Sequence, residues 1–122
     1  MGKTILIVED EPMNLKLLRD LLKRFGYEII EATDGEQGVK LAAANEPNLI
    51  LMDIMMPKMD GLEATRIIKA DIKTKHIPII ALTSFAMKGD KERTIEAGCD
   101  AYIAKPIEIQ EVLKIIEHFL AG

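Results

Sequence analysis

The sequence predicts an α/β fold, a doubly wound parallel sheet of five strands with helices on both faces, and three observations carry that prediction. Short, nearly continuous apolar runs alternate with longer amphipathic segments, five times over. The apolar runs read as strands covered on both faces. The segments between them are too short for anything but one helix each, and right-handed crossovers then wrap helices around both sides.

The first run, Thr4–Val8, stops at Glu9-Asp10-Glu11, and Pro12 follows where a first helical residue needs no N–H. Met13, Leu17, Leu21 and Phe25 recur every four residues beside Leu18 and Leu22, which predicts one apolar helix face. Lys23 and Arg24 suit the negative end of the helix dipole, and Gly26 is placed to end the helix. A second strand is expected over Tyr27–Glu31. Thr33 and Glu36 have capping-box spacing and open a helix to about Asn45, which Pro47 closes. The third strand, Leu49–Met52, ends on Asp53, and the pair Asp60 and Glu63 starts a helix to about Ala70. Ile79–Leu82 ends on Thr83; a helix from about Met87 to Ala97 closes at Gly98. Ala101–Ala104 runs into Lys105-Pro106, and the last helix, about Ile109 to Leu120, is expected to bury Val112, Leu113, Ile116 and Phe119. Nothing in the 122 residues suggests a linker or repeat, so one domain over 1–122 with no output domain is expected.

Composition narrows the function. The chain is 48% hydrophobic and 30% charged with a formal charge of −4, so its bulk electrostatics repel nucleic acid and anionic membrane. A lone Cys99 permits no internal disulfide and fits a reducing, cytoplasmic location. No apolar stretch is long enough to span a membrane. Met1-Gly2 lacks the Ser or Thr that myristoylation requires, since Leu6 stands there. His76 and His118 have no second ligand at metal spacing and read as surface residues, and Cys99 reads as a buried filler.

Ligands of doubly wound sheets bind beyond the carboxyl ends of the strands. Those ends deliver Glu9 and Asp10, Asp53, Thr83 and Lys105 to one rim. Crowded carboxylates repel unless a cation intervenes. Mg²⁺ suits a few carboxylates while keeping several waters, with Mn²⁺ as a second acceptable ion. Asp53 is then placed to attack a phosphoryl group and become an acyl phosphate, while Lys105 and the Thr83 hydroxyl balance charge on the transferred oxygens. Two rivals fit less well. A flavin-type cofactor protein needs a Ser/Thr/Gly-rich loop where Glu9-Asp10-Glu11 stands, and an aspartyl hydrolase needs an acid–base group that Ile54 and Met55 do not supply.

The segments Ile5–Glu11, Leu51–Pro57, Ala81–Thr83 and Ala104–Pro106 resemble, in order and over essentially the whole chain, the bacterial response-regulator receiver domains of the CheY-like superfamily. That resemblance implies a flavodoxin-like strand order 2-1-3-4-5 and a phosphorelay role, with Asp53 as phosphoacceptor and Thr83 and Lys105 as its catalytic partners. It implies a metal site of the Asp10 and Asp53 side chains and the Met55 backbone carbonyl, with Glu9 holding a metal-bound water, a cis Lys105–Pro106 bond, and a switch made of Thr83 and Tyr102. The implied partners are a histidine kinase or histidine phosphotransfer protein, and a downstream protein on the face of the fourth helix, fifth strand and fifth helix. The string Phe85-Ala86-Met87-Lys88-Gly89-Asp90 resembles stand-alone cell-cycle receivers of the DivK-like type; a receiver excised from a hybrid kinase and a phosphorylation-independent docking module are the alternatives. Glu9-Asp10 stands where Asp-Asp is frequent. Met55 and Phe85 stand where polar side chains are frequent, which predicts a long-lived acyl phosphate. Met55, Met56 and Met59 read as core packing or, with Met13 and Leu17, as a dock for a histidine-bearing helix.

Overall fold

A computed structural model describes residues 2–56, 59–84 and 90–121. Its elements are β1 (Thr4–Val8), α1 (Pro12–Arg24), β2 (Glu28–Ala32), α2 (Gly35–Asn45), β3 (Leu49–Asp53), α3 (Gly61–Ala70), β4 (Ile79–Thr83), α4 (Asp90–Ala97), β5 (Ala101–Ala104) and α5 (Ile109–Leu120). All four strand pairings are parallel, in the order β2-β1-β3-β4-β5. The expected fold and strand order are therefore both present.

Strand periodicity sorts the core into two layers. Leu6, Val8, Ile50 and Met52 point to one face, where Ala42, Leu62 and Ile68 cover them from α2 and α3. Ile5, Ile7, Leu49 and Leu51 point to the other, under Leu18 and Leu22 of α1 and Val112 and Ile116 of α5. Every residue of β3 and β4 is buried, as central parallel strands require.

The helix ends follow local chemistry with small shifts of register. Glu11 caps α1 by accepting the Met13 N–H at 2.8 Å, with Pro12 as its first helical residue. Gly26, at φ 89°, donates its N–H to Lys23 O just past the helix, as its position predicted. The second strand lies one residue later than expected, so that Ala32 pairs with Val8. The cap of α2 is also one residue later: Asp34 accepts the Gln37 N–H at 2.8 Å and Gln37 Oε1 accepts from Thr33 N at 2.9 Å. Asp60 caps α3 through the Glu63 N–H, as read from sequence. The Met87 start expected for α4 lies outside the described residues, and Gly98 ends that helix at φ 111°.

One expectation fails. Of the four-residue row of α1 only Leu21 faces the core: Met13 is 76%, Phe25 58% and Leu17 42% exposed, while Leu18 and Leu22 beside the row are buried as expected. A helix turns every 3.6 residues, so a strict row of fours drifts around the axis. The buried face is instead Leu15, Leu18, Leu21 and Leu22. In α5, Val112 and Ile116 are buried while Leu113 and Phe119 are only partly covered.

Candidate metal and phosphoryl-transfer site

The strand order puts β1, β3 and β4 side by side, so their carboxyl ends share one rim. Glu9 follows β1 and stays in register by donating its N–H to Ala32 O at 3.0 Å. Asp53 ends β3 and Thr83 ends β4. Lys105 follows β5, its N–H donating to Thr83 O at 2.7 Å. Four of the five rim side chains predicted from sequence are thus withdrawn from solvent: Glu9, Asp53 and Thr83 are buried, and the Lys105 side chain is 13% exposed. Asp10 faces out.

Carboxylate oxygens of Glu9, Asp10 and Asp53 all lie within 4.8 Å of one another. The Lys105 ammonium stands between two of them, 3.0 Å from Glu9 Oε1 and 3.4 Å from Asp53 Oδ2. Backbone N–H groups hold the remaining oxygens: Glu11 N donates to Glu9 Oε2 at 3.1 Å and Met55 N to Asp53 Oδ1 at 3.2 Å. Glu9 Oε1 is buried and has only the ionic contact with Lys105, without hydrogen-bond geometry. One ammonium against three carboxylates leaves the rim short of positive charge. Burial, then the close approach and charge of the Glu9 carboxylate, push the Asp53 carboxyl up to about 8, against the pull of Lys105. Burial lowers the Lys105 ammonium, but Glu9 and Asp53 outweigh it and hold the group above its ordinary value. A buried acidic oxygen without a hydrogen-bond donor, beside two more carboxylates, fits a hard divalent cation with oxygen ligands.

Three further positions have local contacts that the sequence reading did not assign to them. Glu11 caps α1 and orients Glu9. A Cβ on Gly61 would stand 2.1 Å from Asp53 O, so α3 begins directly against the backbone of Asp53. A Cβ on Gly35 would stand 2.5 Å from Met59 O, so α2 abuts the connection between β3 and α3. The detectable signal was a glycine at the first position of a helix, where alanine is the better helix former.

The other sequence readings separate. Met56 is buried and Met59 packs on the core, whereas Met55 is 56% exposed. Tyr102 is half-buried against the layer containing Ala97 and Cys99. Cys99 is buried with its Sγ 3.7 Å from Thr65 Oγ1, and His76 and His118 are exposed. The Lys105–Pro106 bond is cis. Phe85 and the rest of its string lie outside the described residues, except for the backbone of Asp90. Among the described residues no helix is long and apolar enough to cross a membrane.

Comparison with known proteins agrees with this geometry. Residues 5–117 match the family model of the response regulator receiver domain. The polar-differentiation response regulator DivK of Brucella anthropi is 48% identical over 120 residues, covering 98% of each chain. The receiver domain of sensor histidine kinase PA1611 from Pseudomonas aeruginosa PAO1, solved with a magnesium ion coordinated in the active site cleft, superposes with a TM-score of 0.93 at 38% identity over 100% of both chains. The signal receiver domain of a histidine kinase from Syntrophus aciditrophicus has a TM-score of 0.92 at 32% identity, covering 99% of this chain and 92% of its own. With its family match, strand order and acidic rim in agreement, this chain belongs to the response regulator receiver domains of two-component signalling.

Proposed function

We propose that this receiver is a cytoplasmic phosphorelay switch whose Asp53 takes a phosphoryl group from a phosphohistidine on a kinase or phosphotransfer protein. The observation that carries the reading is the Lys105 ammonium, 3.4 Å from Asp53 Oδ2 on a rim with an excess of carboxylates. An Asp53 carboxylate oxygen attacks phosphorus as the P–N bond of the donor breaks, the bonding pair stays on the donor nitrogen, and the departing imidazole takes a proton from solvent. Lys105 is placed to neutralise one phosphoryl oxygen, and the Thr83 hydroxyl, at the end of the adjacent strand, to donate to another. Glu9, Asp10, Asp53 and the Met55 carbonyl would hold Mg²⁺, which supplies further charge neutralisation when bound. The chain would catalyse only its own phosphorylation and slow dephosphorylation.

The switch reading follows from the same positions. Movement of Thr83 toward the phosphoryl group opens space beside Tyr102, and the changed face of α4, β5 and α5 is offered to a downstream protein. Met13 and Leu17 of α1 and Ile109 of α5 line an apolar groove, which supports docking of a donor's histidine-bearing helix there. Two solved neighbours are receiver domains of histidine kinases, which keeps a hybrid-kinase origin as the second reading. Incubation with acetyl phosphate and Mg²⁺, followed by intact mass measurement, tests the proposal. One phosphoryl increment is expected on the wild type and none on Asp53→Asn; no increment on the wild type, or an unchanged one on the variant, would defeat it.

A further inference from the structure

We propose that Thr65, a buried hydroxyl residue of α3 outside the rim, is a positioning residue for the phosphoacceptor Asp53. The inference rests on the phosphoryl-transfer reading of the rim given above. Thr65 is fully buried and shares the core face of α3 with Leu62 and Ile68. A β-branched hydroxyl residue is a weaker helix former than alanine or leucine, and its oxygen must be paired once water is excluded. Both capacities of this hydroxyl are used. Thr65 Oγ1 donates to Gly61 O at 2.7 Å and accepts from Cys99 Sγ at 3.7 Å. The first of these contacts is of full strength for two oxygens.

The Gly61 carbonyl belongs to the residue against which the end of β3 rests. A Cβ on Gly61 would stand 2.1 Å from Asp53 O and 2.8 Å from Asp53 C, so its Cα lies directly on the Asp53–Ile54 peptide. The Gly61 N–H donates to Ile54 O at 3.0 Å, while the Ile54 N–H donates to Leu82 O of β4, also at 3.0 Å. The end of β3 is therefore held between β4 and the first turn of α3. One peptide further on, the Met55 N–H donates to Asp53 Oδ1 at 3.2 Å. A tilt of the Asp53–Ile54 peptide thus moves both the carboxylate and the donor that orients it. Thr65 restrains that tilt through contacts that follow one another: its hydroxyl to Gly61 O, and the Gly61 N–H to Ile54 O. A hydroxyl bonded to the carbonyl four residues back also bends its helix, so losing it changes how the first turn of α3 meets β3.

Thr74 supplies a matched control: it too is buried, and its Oγ1 donates at 2.7 Å to Ile68 O, near the end of α3 away from Asp53. Mg²⁺ affinity, measured by calorimetry well below the melting temperature, tests the inference. Wild type should bind and Asp53→Asn should lose binding. Thr65→Val, which keeps the shape and removes the hydroxyl, should bind about three- to tenfold more weakly, less than the roughly 10- to 100-fold lost with a group that touches a metal ligand itself. Thr65→Ser, which keeps the hydroxyl, should recover wild-type affinity. Thr74→Val should melt earlier, as Thr65→Val does, and keep wild-type affinity. In the wild type, Mg²⁺ should also shift the Gly61 amide resonance and leave that of Thr74 in place, a readout that needs no variant to fold. Absence of Mg²⁺ binding by the wild type, or undiminished binding by Asp53→Asn, overturns the reading of the rim itself. Wild-type affinity in Thr65→Val, no recovery in Thr65→Ser, equal weakening in Thr74→Val, or an unmoved Gly61 amide overturns the role of Thr65 alone.

Discussion

Replacing Gly61 by alanine should damage folding far more than a single methyl group usually does. The added Cβ would stand 2.1 Å from Asp53 O and 2.8 Å from both Asp53 C and Ile54 Cα, all backbone atoms. Relief requires a separation of about 1 Å between α3 and the end of β3, because carbon and oxygen need roughly 3.2 Å or more. Two hydrogen bonds resist it: Gly61 N to Ile54 O and Ile54 N to Leu82 O, both 3.0 Å. Overpacking costs about 1–3 kcal/mol and a weakened buried hydrogen bond about 1–3 kcal/mol, while the better helix propensity of alanine returns about 1 kcal/mol. A net loss of about 1–5 kcal/mol follows. For a chain of 122 residues the unfolding entropy is about 0.26 kcal/mol/K, so the melting temperature should fall by roughly 4–19 °C. Thermal unfolding followed by circular dichroism measures this, with Gly26→Ala as the comparison. Gly26 has φ +89° but nothing within 4 Å of its Cβ, so alanine there costs only backbone strain of about 1–2 kcal/mol and leaves Mg²⁺ binding intact. If Gly61→Ala melts within about 2 °C of wild type, the close approach of α3 to Asp53 is wrong.

Other outcomes follow from the packing and the rim. Because the folded-state Asp53 carboxyl is pushed up to about 8 from 3.8, it favours folding below about pH 4, and that contribution is lost as pH rises through about 8. In chelator, the melting temperature of Asp53→Asn should therefore gain on wild type steadily between pH 5 and 8; a constant difference contradicts the assignment. Leu18→Ala, at a fully buried position, should lose about 3 kcal/mol in urea unfolding. Leu17→Ala, 42% exposed, should lose well under 1 kcal/mol yet slow phosphotransfer from a histidine-bearing donor without slowing phosphorylation by acetyl phosphate. Equal slowing with both donors would argue against the groove as a dock. Polar residues at both Met55 and Phe85 should speed loss of the acyl phosphate, measured as decay of the phosphorylated mass after donor removal.

The rim was legible in the sequence because two simple facts coincide there. An apolar run must end at a definite residue, and in a parallel sheet all such ends face one way. Glu9, Asp53, Thr83 and Lys105 could each be placed by counting to the end of a run. The α1 row was misread because Met13, Leu17, Leu21 and Phe25 match a period of four, and only the partner surfaces decide which side of a near-degenerate pattern is buried. Cap positions slipped for a related reason: Thr33 and Asp34 both qualify, and the contact of Gly35 with Met59 accompanies the later one. The close approaches at Gly61 and Gly35 were not legible, since a glycine's meaning lies in what approaches it from elsewhere in the chain.

The place of β3 in the middle of the sheet has a consequence for how a signal can leave Asp53. Its amides are laddered on both sides, to β1 and to β4, and all five of its residues are buried. Such a strand exchanges its amide hydrogens only when the whole domain opens, on the slowest timescale the protein has. Deuterium uptake at Leu51 and Met52 should therefore report global unfolding and be nearly indifferent to local fraying. A phosphoryl group added to Asp53, as proposed above, would meet an unyielding base, and the response would have to be taken up by side chains and connections around the rim.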